Sequence, residues 1–121
     1  MTAFEAIQKA AKQIGIPAAP GMYEGKAEKY ITYNHALLRG DNFGDDVPNA
    51  DIAEVQVHLY TPIENPKTHG KINYRADLDT LRNALFGYGF TYPEVTVLRE
   101  EDVKKWHIVF ECEYEEDEED D

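Results

Sequence analysis

Apolar residues at the start of the chain recur at intervals of three and four, Phe4, Ile7, Ala11 and Ile14, which places them on one stripe of a helix. Thr2 followed by Glu5 is the pair that forms a reciprocal capping box, and Gly15 can take the left-handed conformation that closes a helix. The pattern predicts a helix from Thr2 to about Ile14. Pro17, Pro20 and Gly21 break the periodicity, so Ile16–Gly25 is expected to be a connector, carrying Met22 and Tyr23.

The period then changes from helical to alternating. Lys29–Asn34 reads as a first strand, and Ala53, Val55, Val57 and Leu59 alternate with Glu54, Gln56 and His58 in a second. Between them, Arg39–Asp51 is rich in Gly, Asp and Asn and reads as a long exposed loop. After Pro62 and Pro66, the spacing of Tyr74, Leu78, Leu81 and Leu85 predicts a second helix beyond Gly70, stopped by Gly87 and Gly89. Glu94–Leu98 and Val103–Tyr114 read as strands joined by a turn over Arg99–Asp102, with Trp106, Ile108, Phe110, Cys112 and Tyr114 on one side. The order α-β-β-α-β-β predicts an α+β domain, a mostly antiparallel four-stranded sheet with both helices on one face.

Composition narrows the classes of function. The chain has 121 residues, the size of one domain, and 24 acidic against 12 basic residues give a net charge of −12. A repulsive field of that size argues against binding nucleic acid through its phosphates. Seven of the acids close the chain as Glu115–Asp121 and read as a disordered acidic tail after a domain of residues 1–114; without them the net charge is −5. Apolar runs do not exceed three residues, so no membrane span is expected, and the single cysteine and absent secretory signal pattern suit a cytoplasmic origin. There is no serine in the chain, which removes every serine-nucleophile mechanism.

The remaining candidate chemistry is sparse. Cys112 and His107 are an odd five residues apart in one predicted strand, so they face opposite ways, and Cys112 is expected to be inert packing. His58 and His107, with Glu54 and Glu111, lie on the polar faces of two predicted strands and would meet if those strands were neighbours, but their spacing carries no metal motif. Asp41–Asp46 resembles a calcium loop without its register, because Phe43 and Asp46 occupy positions that need a ligand and a glycine. Gly87-Tyr88-Gly89 follows a helix, where a dinucleotide fingerprint would open one. No catalytic residue, cofactor or metal is expected, and the chain reads as a non-enzyme.

Three blocks of sequence carry a resemblance: Tyr30-Ile31-Thr32-Tyr33-Asn34, Val55-Gln56-Val57-His58-Leu59-Tyr60-Thr61-Pro62, and a closing block. The last comprises Leu81-Arg82-Asn83-Ala84-Leu85-Phe86, Gly89-Phe90-Thr91 and His107-Ile108-Val109-Phe110-Glu111-Cys112-Glu113. They resemble the tail-terminator or tail-completion (head-tail joining) proteins of long-tailed bacteriophages and prophages, over nearly the whole chain. The resemblance implies a structural virion protein, made in the host cytoplasm, that assembles as a homo-oligomeric ring, expected to be hexameric. It also implies two partners, the tail tube protein beneath the ring and a head completion or connector protein above it. An acidic subunit suits a ring through which DNA passes. The expected interface residues are Arg39, Phe43, Asp45 and Asp46 in the loop and Met22 and Tyr23 in the connector. The competing reading of the charge is an acidic DNA mimic that inhibits a basic partner.

Overall fold

The computed structural model describes residues 1–41 and 50–117. Helix α1 spans Ala3–Ile14 and opens with the expected capping box, Thr2 Oγ1 accepting from the Glu5 amide and Glu5 Oε1 from the Thr2 amide. Gly15 closes it at φ 77°. The face it buries is richer in small residues than the predicted stripe: Ala3, Ala6, Ile7, Ala10 and Ala11 are buried, while Phe4 and Ile14 pack at the margin. Helix α2 spans Tyr74–Gly87, capped by the Asn73 side chain, and buries Leu78, Leu81, Ala84 and Leu85. Gly87 is its last residue and Tyr88 its cap, so the stop comes one residue later than the glycine suggested.

The class is α+β as expected, but the sheet has five strands and is mixed. The strands are β1 (Ala18–Pro20), β2 (Tyr30–Asp41), β3 (Ala50–Pro62), β4 (Glu94–Glu100) and β5 (Lys105–Asp117), in the order β1-β2-β3-β5-β4. The unexpected β1 lies inside the connector and pairs parallel to β2. Pro17 and Pro20 lack amide hydrogens but still have carbonyls, and the Pro17 carbonyl accepts from Ile31 while the Gly21 amide donates to Tyr33. The other pairings are antiparallel, including the expected β4–β5 hairpin.

Two further boundaries differ from the sequence reading. Arg39–Asp41 and Ala50–Asp51, expected in the loop, are paired strand, Arg39 opposite Ile52 and Asp41 opposite Ala50. Val103 and Lys104, expected to open the last strand, lie in the turn, where Lys104 has φ 54°. At the far end β5 continues through Asp117 and takes in the first three acids of the closing run, with Glu116 opposite Asp51. A Glu116 oxygen there accepts from the Ala3 amide at 2.6 Å, a carboxylate at the positive end of α1.

Both helices cover one face of the sheet. Ile31, Tyr33, Val55, Val57, Leu59, Ile108 and Phe110 are at most 3% exposed and join the buried stripes of α1 and α2 in a single core. Among the described residues no helix lies on the opposite face.

Candidate functional site

Strand alternation puts the chemically distinctive side chains on the open face. Tyr30, Tyr60, His107 and Leu98 stand in one register row across β2, β3, β5 and β4. Three of these rings stack in turn: Tyr30 on Tyr60 at 4.9 Å and Tyr60 on His107 at 4.4 Å, with Tyr23 of the connector against Tyr30 at 4.7 Å. Because the ring faces are taken up by one another, the ladder offers edges, not flat platforms, to anything that approaches. Burial in the stack raises the Tyr30 and Tyr60 hydroxyls above the usual range, so both stay protonated at neutral pH.

Beside the ladder, His58 and His107 meet, because β3 and β5 are neighbours. His58 Nδ1 is 2.7 Å from His107 Nε2, His58 Nε2 is 3.0 Å from Asn34 Oδ1, and His107 Nδ1 is 3.0 Å from Glu100 Oε1. Burial, and then the neighbouring His107, push the His58 pKa down, while Glu111 opposes the shift. Glu54 and Glu111 share the face but contribute no metal shell; among the described residues no group of three or more His, Cys, Asp and Glu is placed to hold a metal ion. Asn34 and Glu100, which complete the histidine network, were not singled out from the sequence.

Cys112 faces the helices, on the other side of the sheet from His107, and burial pushes its thiol up to about 12. A thiol so far from ionisation is a poor nucleophile. A groove of about 450 Å³ at one end of the sheet is lined by charged groups that already face each other: Lys105 with Glu28, His69 with Glu64, and Arg99 with Glu101. Lys104, whose side chain takes part in none of these pairs, also lines it.

The expected interface residues separate. Met22 is 70% exposed, but Tyr23 is half-buried, stacked on Tyr30, with its hydroxyl accepting from the Ala27 amide. Arg39 is exposed and bridges Glu54 at 3.4 Å and Glu113 at 3.5 Å on the open face. Phe43, Asp45 and Asp46 lie outside the described residues.

The two lateral edges of the sheet are unlike each other, and both expose apolar side chains. On one side β1 covers β2 only from Ile31 to Tyr33, and further along β2 Leu37 and Leu38 are 49% and 50% exposed. A bulge between His35 and Leu37 resets the alternation there, so Leu37 and Arg39 join the open face and Leu38 the helix side. On the other side β4 is the last strand, with Val97 and Leu98 partly exposed on its two faces. Nearby, Phe86 and Tyr92 form an exposed edge-to-face pair, with the Arg82 guanidinium 4.2 Å over the Tyr92 ring.

Comparison with protein-family models gave no match, and comparison with curated proteins gave none. Among the described residues no helix is long and apolar enough to cross a membrane.

Proposed function

We propose that the chain is a self-assembling structural protein of the phage tail-terminator or tail-completion type. In that role it forms a ring that caps the tail tube and docks to the head connector. The observation that carries self-assembly is the pair of dissimilar edges. Ring closure needs a heterologous contact, one surface of a copy against a different surface of the next. The Leu37–Leu38 stretch of β2 and the Val97–Leu98 edge of β4 sit on opposite sides of one sheet, and each leaves apolar area uncovered. β4 also has the β-branched run Val95-Thr96-Val97 and no proline, the composition of an edge that accepts another strand. The phage context comes from the resemblance of the three sequence blocks.

Mixing two variants tests the geometry. Leu38→Asp damages one edge and Val97→Lys the other; both residues are exposed enough for the fold to tolerate the change. A head-to-tail assembly predicts that each variant alone stays monomeric by light scattering, while an equimolar mixture forms dimers through the two intact edges. A Leu38→Asp protein that still dimerises by itself would show a two-fold β4 contact and overturn the ring. Binding of wild-type protein to purified tail tubes then tests the role.

The acidic-mimic reading keeps one observation in its favour. Glu94 lies directly opposite Glu111 on the open face, whereas the facing pair Glu54 and Glu113 is already bridged by Arg39. Like charges facing across a ladder cost stability, and a basic partner would relieve that cost. Inhibition of a basic nuclease or repressor that is lost on deleting residues 118–121, the acids that follow β5 in the sequence, would favour this reading over assembly.

A further inference from the structure

Asn34, His58, His107 and Glu100 form one hydrogen-bonded chain across the open face, with one member from each of β2, β3, β5 and β4. The direction of donation is set at one end by a group that cannot change role. The Asn34 amide nitrogen donates to the His35 backbone carbonyl and to Gln56 Oε1, both at 3.3 Å. A carbonyl only accepts, so Asn34 keeps its nitrogen on that side and its oxygen toward His58. His58 Nε2 must then carry a hydrogen.

At the other end the Glu100 carboxylate only accepts, so His107 Nδ1 must carry a hydrogen too. Between the rings, His58 Nδ1 and His107 Nε2 share one hydrogen across 2.7 Å. The chain is satisfied by three N–H protons on four ring nitrogens, one more than two neutral imidazoles hold. The contact with the carboxylate places the resulting charge on His107, with His58 the neutral ring.

We propose that the His58–His107 pair stores a single proton, and that this proton locks edge strand β4 to the centre of the sheet. Removing it sets two lone pairs face to face between the rings, or a lone pair against Glu100, or turns Asn34 oxygen-first onto the His35 carbonyl; one link fails in each case. Adding a second proton sets two N–H groups against each other at the same short contact. The lock therefore works within a bounded range of pH.

The groups around the pair are Glu100 from β4, Glu111 from β5 and Tyr60 from β3, with Tyr30 of β2 behind Tyr60 and Tyr23 of the connector behind Tyr30. Lys105, two residues before His107, is engaged by the Glu28 carbonyl and carboxylate. The two carboxylates nearest the rings favour one retained proton, and the uncharged tyrosines leave that preference in place.

Long-range ¹⁵N imidazole spectra of the full chain, recorded from about pH 4.5 to 9, read the proton count directly. The expected result is a plateau at three N–H protons with His58 a neutral ring protonated at Nε2. Over the step that removes the third proton, exchange of the β4 amides paired with β5 should accelerate about tenfold after correction for intrinsic rates, with β2 unchanged. Glu100→Gln, whose amide can donate to a neutral His107, should abolish the plateau. His107→Phe, which keeps a ring against Tyr60, should make β4 exchange independent of pH once intrinsic rates are removed. A wild-type pair passing from four protons to two without a plateau, or wild type and Glu100→Gln titrating alike, would overturn the proposal.

Discussion

At Thr2 one hydroxyl and one carboxylate satisfy two amides that α1 would otherwise leave open, at 3.2 and 2.9 Å. Thr2→Ala should cost about 1 kcal/mol in urea unfolding, with an unchanged slope because the buried surface is the same. Cys112 makes the opposite kind of prediction: with its pKa pushed up to about 12 inside the core, it should resist thiol reagents at pH 8 in the native chain and react fully in denaturant. His58 gives the pH dependence. Its folded pKa is lowered by burial and by His107, so between that value and about 6.5 the unfolded chain binds more protons than the folded one. The contribution of His58 is present in full above about pH 6.5 and falls as pH drops through this window. Urea midpoints between pH 7 and 5 should decline in wild type and flatten in His58→Gln.

Leu81 is fully buried where α2 meets the sheet, and Leu81→Ala should remove about 2–5 kcal/mol, the range for a core leucine. That position was legible because its helix buries one clean stripe. The strands were legible only where one face is dry and the other wet. Ala53–Leu59 alternates for that reason, whereas Arg39–Asp41 and Ala50–Asp51 resemble a loop in composition although they pair fully. β1 was hidden because its three residues, Ala18-Ala19-Pro20 directly after Pro17, carry no period, and its pairing with β2 is a tertiary fact. Ala36 hides a second feature: an unpaired residue at the bulge reverses the facing of everything after it, and no spacing rule in β2 announces it. Alternation correctly placed His58 and His107 on the polar face, conditional on adjacent strands. Glu100 was lost inside an expected turn over Arg99–Asp102, which starts later because β4 runs on to Glu100 opposite Lys105.

Across the whole molecule, the edges and the charge make opposing demands on assembly. Each copy brings a net charge of −12, so bringing copies together raises electrostatic repulsion, while the exposed Leu37, Leu38, Val97 and Leu98 favour contact by removing apolar area from water. Salt separates the two, because the screening length shrinks from about 10 Å at 0.1 M to about 3 Å at 1 M while apolar burial persists. If apolar edges drive assembly, the average mass in light scattering should rise with salt at fixed protein concentration, and Leu38→Asp should remove the rise. The charged groups at the edges allow the contrary result to be read as well. Arg82 over Tyr92 and Arg39 between Glu54 and Glu113 are cations near the two edges, and a contact built on them would weaken as salt increased. A mass that falls with salt would therefore move the contact from the leucines and valines to these arginines. It would also turn attention to the acidic rows of the open face as the surface they meet.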